Sequence, residues 1–278
     1  MRAVYVMMHA GNQASLLTRV LDSLREAGVA ASVEAALPPL LVDTPYEHTP
    51  VGTKGAEGIL SIGGDGTLLR ACQTAALTKL PLLGVNVGHL GFLAEIELVQ
   101  LDAACQRLAT NDFALERRMM LQARYGEKEH LALNDVVLSR GGYARLVTVD
   151  ALVGDDLIGR YAADGLIVST PTGSTGYSLS AGGPIISPEL ECMLLAPICA
   201  HSLQHRPVVI SAEREIALQL QGDETRRVQL SIDGQTVSQL APDERVLVSR
   251  SNRTVQFIRF APQNFFQLIS RKLSEWSR

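Results

Sequence analysis

Residues 60–69 read Leu-Ser-Ile-Gly-Gly-Asp-Gly-Thr-Leu-Leu. The apolar run that begins with Ile59 predicts a buried strand, and the residues from Thr67 onward predict the start of a helix. Glycines at such a strand-to-helix turn let the backbone approach a ligand and point N–H groups at anionic oxygens. Asp65 would repel phosphate there unless it binds a cation or accepts a proton, which suggests phosphoryl transfer. The alternative is that Asp65 caps the helix, and the stretch alone leaves base, metal ligand and cap open.

The length and composition of the chain are those of an ordinary globular protein. Its 278 residues are enough for a sizeable core and predict two domains. Apolar residues make up 46% and charged residues 19%, and the formal charge of −4 gives no support to nucleic-acid binding. The apolar run at residues 1–8 is too short for a signal peptide or a membrane span. We therefore expect a cytoplasmic protein with no membrane and no nucleic-acid partner.

The cysteines are few and scattered. They are Cys72, Cys105, Cys192 and Cys199, without a Cys-x-x-Cys pair. This pattern predicts small buried thiols in a reducing compartment, and it disfavours a disulfide framework or a zinc site.

Strands and helices alternate in the first part of the chain. Apolar runs predict strands at 3–9, 29–36 and 81–86, in addition to the strand before the glycine turn. Helical spacing of apolar residues predicts helices at 14–28, 67–77 and 98–108, and a second glycine-rich turn lies at 87–93. The alternation predicts a Rossmann-like parallel α/β domain at residues 1–115. Ligands of such sheets bind beyond the carboxyl ends of the strands, where both glycine turns would lie.

After Asn111 and Asp112 the pattern changes to short β-rich runs separated by turns. The runs are 119–125, 131–139, 146–153, 157–162, 165–169, 208–210, 215–220, 227–232, 245–248 and 254–258. Many short strands at this spacing predict an all-β domain of the β-sandwich type at residues 116–260. The tail at 261–278 has helical spacing and is expected to pack back on the first domain.

Residues 169–180 are unusually rich in small polar residues. Nine of these twelve are serine, threonine or glycine. Hydroxyl groups and free N–H groups at this density suit sugar hydroxyls, phosphates or an adenine edge, and Tyr177 offers a face to a ring. The alternative is a solvated linker. The strand embedded at 166–168, together with Pro171 and Pro184, argues against that alternative.

Two more polar features interrupt the β-rich runs. Asn134 and Asp135 are adjacent; Asn has a donor and an acceptor for a base edge, and Asp accepts a pair of ribose hydroxyls. By itself this pair would more simply be a turn at a hairpin edge. Asp233 and Gly234 by themselves are an ordinary Asp-Gly turn between strands.

Together these motifs resemble the NAD kinase family. The Gly63-Gly64-Asp65-Gly66 turn alone fits the wider group of diacylglycerol kinase-like and phosphofructokinase-like enzymes. The motifs specific to NAD kinases are Asn134-Asp135, Asp164-Gly165, the run from Thr170 to Thr175, and Asp233-Gly234-Gln235. The resemblance implies ATP-dependent phosphorylation of the 2′-hydroxyl of the adenosine ribose of NAD, which gives NADP.

The resemblance also implies roles for single residues. Asp65 matches the proton acceptor, and Gly63 and Gly64 would face the donor phosphates. Asn134 and Asp135 match the pair that holds adenine and ribose, and Asp164 matches a contact with the nicotinamide end. The implied NAD contacts are Asp65, Gly66, Phe92, Asn134, Asp135, Arg145, Ala162, Asp164, Thr175, Gly176, Tyr177, Ser178, Leu179, Ser180 and Gln235. The glycine turn would then form one wall of a cleft between the domains.

The sequence departs from the family pattern at two positions. The family usually has Glu where this chain has Asp135, and Ala where it has Gly176. The carboxylate is retained at the first, and the second only loosens a loop, so the same contacts are expected.

The implied cofactor is a divalent cation, Mg²⁺, because the chain has no Walker lysine motif. The partners are NAD and ATP, and by resemblance alone the protein is a homodimer or homotetramer. The GxGxxG motif of hydride-transfer enzymes is absent. A lipid kinase of the same wider group and a non-catalytic NAD sensor are the alternatives. The polar stretch at 169–180 disfavours the first alternative, and Asp65 disfavours the second.

Overall fold

The computed structural model describes residues 1–9, 14–88, 91–141, 146–202, 204–221, 228–261 and 265–276. The chain has two compact units, one formed by Met1–Arg117 with Val255–Arg278 and the other by Arg118–Thr254. The domain limits that the sequence suggests stay a prediction.

The elements follow one another along the chain as two series. The first series is β1 (Ala3–Met8), α1 (Ala14–Glu26), β2 (Ala30–Val33), β3 (Gly58–Ile62), α2 (Asp65–Thr78), β4 (Leu82–Asn86), β5 (Ile96–Glu97) and α3 (Leu101–Ala109). The second is β6 (Ala114–Tyr125), β7 (Lys128–Ala132), β8 (Asp135–Arg140), β9 (Val147–Val153), β10 (Asp156–Ala163), β11 (Gly165–Ser169), α4 (Tyr177–Ser180), β12 (Cys192–Ile198), β13 (Val208–Ser211), β14 (Ile216–Gln221), β15 (Val228–Ile232), β16 (Gln235–Leu240), β17 (Arg245–Arg259) and α5 (Phe265–Trp276). Short 3₁₀ turns lie at Pro38–Leu40, Leu98–Gln100 and Thr172–Thr175.

The central strands of the first unit, β1 to β4, pair in parallel, which confirms the predicted α/β class. They lie in the order β4-β3-β1-β2, and β5 and the end of β17 pair with β4 in the same direction. Because β2 and β3 lie on opposite sides of β1, the strand order reverses at β1. In open parallel sheets such a reversal leaves a crevice beyond the carboxyl ends of the two strands, here β1 and β3. The glycine turn follows β3 at this edge.

The helices of the first unit cover the sheet through apolar residues at helical spacing. In α1 these are Leu17, Val20, Leu21 and Leu24, and all are buried. In α3 the equivalent buried residues are Leu101, Ala104, Cys105 and Leu108. The C-terminal helix α5 belongs to the same unit, so the prediction that the tail packs back on the first domain is confirmed.

The second unit is antiparallel and all-β, as predicted. Six strands form one sheet in the order β13-β12-β11-β8-β15-β16, and β10-β9-β14 and the start of β17 form another layer. One core joins residues of both layers, for example Leu138 and Leu166 with Val149 and Leu218. Two sheets over a shared core are the β-sandwich arrangement.

Several details of the strand prediction are wrong. The run predicted at 131–139 is two strands, because the backbone turns at Leu133 and Asn134. The runs at 245–248 and 254–258 are a single strand, β17. Strand β12 was not predicted because its continuous apolar run has no alternation, and β16 because it is a polar strand at the sheet edge.

The cysteines are free thiols, and three of the four are buried. Cys199 is exposed, so the expectation that all are buried is wrong for this residue. Within the described part of the chain, no helix combines the length and the apolar character needed to cross a bilayer.

Candidate functional site

The glycine turn after β3 depends on Gly63 for its backbone conformation. Gly63 has φ +155°, and a Cβ atom there would lie 2.6 Å from Thr67 Oγ1. Its N–H group donates to Val85 O at 3.0 Å, which ties the turn to β4. At Gly64 and Gly66, by contrast, a Cβ atom would meet no described atom within 4 Å. The protein itself therefore requires only the first of these three glycines, and the other two leave open space.

Asp65 is the first residue of α2, and it does not cap the helix. The N-cap position is Gly64, which makes no side-chain cap hydrogen bond. The Asp65 carboxylate instead accepts the backbone N–H of Phe92, in the loop after β4. This contact removes the helix-cap alternative and leaves the base and metal-ligand roles.

The surroundings of Asp65 shift the pKa of its carboxyl group. The residue retains exposed surface, but the protein atoms around the carboxyl group displace much of its water, and this desolvation raises its pKa above the usual range. The N–H of Phe92 and the charge of Lys272 act in the opposite direction. A raised carboxyl pKa makes the ionised carboxylate a better proton acceptor.

Lys272 is a charged residue of the site that the sequence did not reveal. It lies on α5 and is only 5% exposed, although lysine is rarely buried. The one available signal was the helical spacing of the tail, which predicts a packed helix but not which cation it brings to Asp65.

The loop that contacts Asp65 is anchored a few residues further on. The buried Arg259 guanidinium donates to Leu93 O at 3.2 Å and to Glu95 Oε2 at 3.0 Å. It also donates to Glu116 Oε2 at 2.6 Å, and the N–H of Phe260 donates to Glu95 Oε1 at 2.8 Å. The end of β17 therefore holds the segment that follows Gly91 and Phe92.

In the second unit, the backbone at Asn134 and Asp135 is completely hydrogen-bonded. The carboxylate of Asp233 accepts the N–H groups of Leu133, Asn134 and Asp135 at 2.9, 2.7 and 3.1 Å. The N–H of Asp233 donates in return to Asp135 O at 3.0 Å. Thr170 supplies the other two bonds, from Oγ1 to Leu133 O at 2.5 Å and from its N–H to Asn134 O at 2.9 Å. All six backbone polar groups of these three residues are thus paired by Asp233 and Thr170.

The Ser/Thr/Gly-rich segment is a packed element, so the linker alternative is wrong. Thr170, Thr172 and Ser174 are buried, and Ser174 Oγ donates to Pro171 O at 2.6 Å. The segment packs closely against the connection between β7 and β8 at Gly173, where a Cβ atom would lie 2.6 Å from Asn134 Cα.

The residues after this segment differ in exposure. Gly176, Tyr177 and Ser180 are exposed, Thr175 and Leu179 are half-buried, and Ser178 is fully buried. A Cβ atom at Gly176 would lie 4.0 Å from Asn134 Nδ2. The structure therefore brings this loop to Asn134.

The predicted NAD contacts lie in two groups within the second unit. Gln235, at the start of β16, is exposed two residues after Asp233 and belongs with Asn134 and Asp135. Asp164 precedes β11 and pairs with Arg140 at 3.3 Å. In the register of β8 and β11, Asp135 is opposite Ser169 and Ser139 is opposite Gly165. Asp164 therefore lies about 17 Å from Asp135, at roughly 3.4 Å per strand residue.

Three remaining predicted positions complete the description. Ala162 is half-buried, and its carbonyl accepts the N–H of His201 at 2.9 Å. Phe92 is half-buried beside Asp65. Arg145 lies outside the described residues.

Asp135 is buried and has a like charge nearby. It is 6% exposed, and burial together with the negative charge of Asp233 raises its pKa to about 7. This carboxyl group changes its charge within the physiological pH range.

An α/β unit built on parallel strands with a Gly-Gly-Asp-Gly turn, followed by an antiparallel β unit, is the pattern of the kinases that share this turn. Comparison with known families agrees. Residues 1–113 match the ATP-NAD kinase N-terminal domain, and residues 133–260 match the ATP-NAD kinase C-terminal domain. The chain belongs to the NAD kinase family, and ATP-dependent NAD kinase is the activity that goes with this family. The resemblance seen in the sequence is confirmed.

Individual relatives support the assignment along the whole chain. An NAD kinase of Heliobacterium modesticaldum is 38% identical over 262 residues, which cover 92% of each chain. The crystal structure of an NAD kinase from Archaeoglobus fulgidus in complex with ATP superimposes with a TM-score of 0.75 at 26% identity and covers 99% of each chain. Yeast NADH kinase complexed with NADH gives a TM-score of 0.87 at 23% identity, with 99% of this chain and 88% of that chain covered, and shares the fold.

Proposed function

We propose that Asp65 is the general base in the transfer of the γ-phosphoryl group of ATP to the 2′-hydroxyl of NAD. The observation that carries the proposal is the Asp65 carboxylate at the start of α2, bonded to the N–H of Phe92 and with a raised pKa. Asp65 takes the hydroxyl proton while the ribose oxygen forms a bond to the γ-phosphorus, and the bond to the β-phosphate oxygen breaks. The products are NADP and ADP, and a general base contributes about 10²–10⁴ in rate.

On the donor side, Gly63, Gly64 and the N-terminus of α2 would face the phosphates of ATP. The open space at Gly64 supports this role, because a phosphate can approach the backbone there. The first N–H groups of a helix have no partner within the helix and carry partial positive charge, which suits anionic oxygens.

We propose that a divalent cation, Mg²⁺, binds at the same turn. Among the described residues no group of three His, Cys, Asp or Glu side chains is arranged to hold a metal ion. A magnesium site made of phosphate oxygens, water and one carboxylate needs no such group, and Asp65 is the candidate ligand. When bound, the cation would neutralise charge on the transferred phosphate.

On the acceptor side, Asn134 would bond the adenine edge and Asp135 the ribose hydroxyls. The fully bonded backbone of this pair supports the proposal, because it holds both side chains in fixed directions. Gly66, Phe92, Arg145, Ala162, Asp164, Gln235 and the loop from Thr175 to Ser180 are proposed as further contacts with NAD.

The test compares Asp65→Asn with Asp43→Asn. Asp43 is an exposed residue of the same unit with φ +60°, a conformation that asparagine tolerates. With NAD, ATP and Mg²⁺, and with NADP followed through an NADP-specific dehydrogenase, Asp65→Asn should bind NAD but lose about 10²–10⁴ in turnover. Asp43→Asn should retain the wild-type rate. Near-wild-type turnover of Asp65→Asn would contradict the base role.

The same assay, run beside a measurement of NAD binding and of ATP consumption with diacylglycerol in place of NAD, separates the alternatives. A non-catalytic sensor would bind NAD tightly and form no NADP, whereas a lipid kinase would consume ATP with diacylglycerol and not with NAD. We also propose that the protein assembles as a homodimer or homotetramer, which light scattering of the purified protein would measure. A cytoplasmic location is proposed because the free thiols fit a reducing compartment.

A further inference from the structure

We infer that Asp233 positions the adenosine-binding pair Asn134 and Asp135 and makes the affinity for NAD depend on pH near neutrality. The inference rests on the proposed function, because it takes these two residues as the ones that hold adenine and ribose. Asp233 itself would not touch the nucleotide.

The hairpin turn does not explain why residue 233 carries a carboxylate. Asp233 and Gly234 have φ of 48° and 78° and form the two-residue turn between the paired residues Ile232 and Gln235. Both central residues have positive φ, as in a type I′ turn, for which Asn-Gly is at least as suitable as Asp-Gly. The turn therefore does not require a carboxylate at residue 233.

The three N–H donors from Leu133, Asn134 and Asp135 do explain it. They lie where β7 ends and β8 begins, 98 to 100 residues away along the chain. An ionised carboxylate only accepts hydrogen bonds and has room for all three donors, and such charge-assisted bonds are stronger than neutral ones. An asparagine at this position has one acceptor oxygen, and its NH₂ group would repel the third donor. Asp233 thus fixes the backbone from which both proposed ligand side chains extend.

The same arrangement places two carboxyl groups close together. The charged side chain that faces Asp135 is Asp233, while the residue opposite Asp135 on β11 is the neutral Ser169. The buried Arg118 of β6 donates to Thr172 Oγ1 at 3.2 Å. Burial and Asp233 raise the pKa of Asp135 to about 7.

The direction of the pH effect follows from which form binds. Ionised Asp135 accepts both ribose hydroxyls, whereas the protonated group loses most of that capacity. Since the ionised fraction rises from about 0.1 at pH 6 to about 0.9 at pH 8, KM for NAD should fall about tenfold over this range. The KM for ATP does not involve this pair and should not follow the same curve.

The experiment measures KM for NAD between pH 6 and 8 for the wild type, Asp233→Asn and Asp243→Asn. Asp243 is an exposed turn residue of the same unit with φ +63°, so it is a matched control. Asp233→Asn should have a higher KM at pH 8, because one N–H loses its acceptor. Its pH dependence should move to lower pH, because the like charge beside Asp135 is gone. Asp243→Asn should follow the wild type.

The outcomes are distinct from those of the proposed function. Failure of the wild type to form NADP would overturn the proposed function, and calorimetric binding of NAD over the same pH range would still test Asp233. A KM or Kd for NAD that is independent of pH in the wild type would overturn the inference. It would be overturned equally by an Asp233→Asn profile that matches Asp243→Asn, or by failure of Asp233→Asn alone to fold, which would show a purely structural anchor.

Discussion

The Asp65 carboxylate lies directly against the backbone of Gly91, and a Cβ atom at Gly91 would overlap Oδ1 and lie 2.6 Å from Cγ. The next residue, Phe92, donates its N–H to the same carboxylate. Glycine is therefore required at position 91 because the Asp65 carboxylate lies so close to the backbone. The loop after β4 thus fixes the position of the proposed base.

Replacing Gly91 by alanine should displace Asp65 without unfolding the protein. A shift of about 1 Å in a reacting group costs on the order of 10² in rate, so turnover of Gly91→Ala should fall about 100-fold. Gly88→Ala adds the same methyl group three residues earlier, where no described atom lies within 4 Å. The turnover of Gly88→Ala should therefore fall much less than that of Gly91→Ala. Steady-state kinetics with circular dichroism would show this, and equal losses in the two variants would contradict the steric argument.

Lys272 should control the pH at which turnover declines. Its positive charge lowers the pKa of Asp65, against the larger effect of burial. A base must be ionised, so turnover declines as the pH falls through the pKa of Asp65. Lys272→Met should raise that pKa and move the acid limb of kcat to higher pH, while Lys272→Arg should leave it near the wild-type position. A pH profile of kcat that is identical in Lys272→Met and wild type would contradict the electrostatic role.

The sequence was informative where the chemistry is local. The strand, the glycine turn and the start of α2 form one continuous stretch, and apolar periodicity with glycine conformation predicts all three. The contacts that define the site join distant parts of the chain. Leu133 reaches Asp233, 100 residues away, and Arg259 reaches Glu95, 164 residues away. No local sequence pattern predicts which distant residue a buried carboxylate will contact.

Asp233 also shows that a sequence pattern can predict a local turn without predicting the distant contacts of its side chain. The Asp233-Gly234 dipeptide before Gln235 predicts a turn, and the structure has a turn at these residues. The Asp233 carboxylate accepts three N–H groups from the residues where β7 ends and β8 begins, and this contact depends on the sheet order β8-β15-β16. Strand order is a tertiary property, so propensity alone could not supply it.

Two glycines of the Ser/Thr/Gly-rich segment should respond differently to alanine. At Gly173 a Cβ atom would overlap the backbone of Asn134, which cannot move because it is fully hydrogen-bonded. At Gly176 the nearest atom, Gly173 O, would be 3.3 Å away, and φ is −97°. Gly173→Ala should therefore lose most of its affinity for NAD or its stability, and Gly176→Ala should retain both. Calorimetric titration with NAD and a thermal unfolding curve would check this; loss of binding in Gly176→Ala alone would contradict it.

Arg259 should stabilise the first unit strongly, because it is a buried cation with two carboxylate partners. Its side chain is 4% exposed, and that of Glu95 is 6% exposed. Removing one partner of a buried ion pair leaves an uncompensated charge and costs about 3–5 kcal/mol in the free energy of unfolding. Arg259→Met should show a loss of this size by urea unfolding, and Arg259→Met with Glu95→Gln should recover part of it, since the second change removes the isolated charge.

The matched control is Arg25→Met in the same unit. Arg25 pairs with Asp22 across one helical turn, and its side chain is 62% exposed. Solvent screens such a pair, so its removal should cost no more than about 1 kcal/mol. If both arginine variants lost the same small amount, Arg259 would not be an anchor of the unit. A large loss of unfolding free energy in Arg259→Met alone would show that this ion pair anchors the unit. If the turnover of this variant also declined at the temperature where the loop of Leu93 and Glu95 loosens, the ion pair would be needed to hold Asp65 in position.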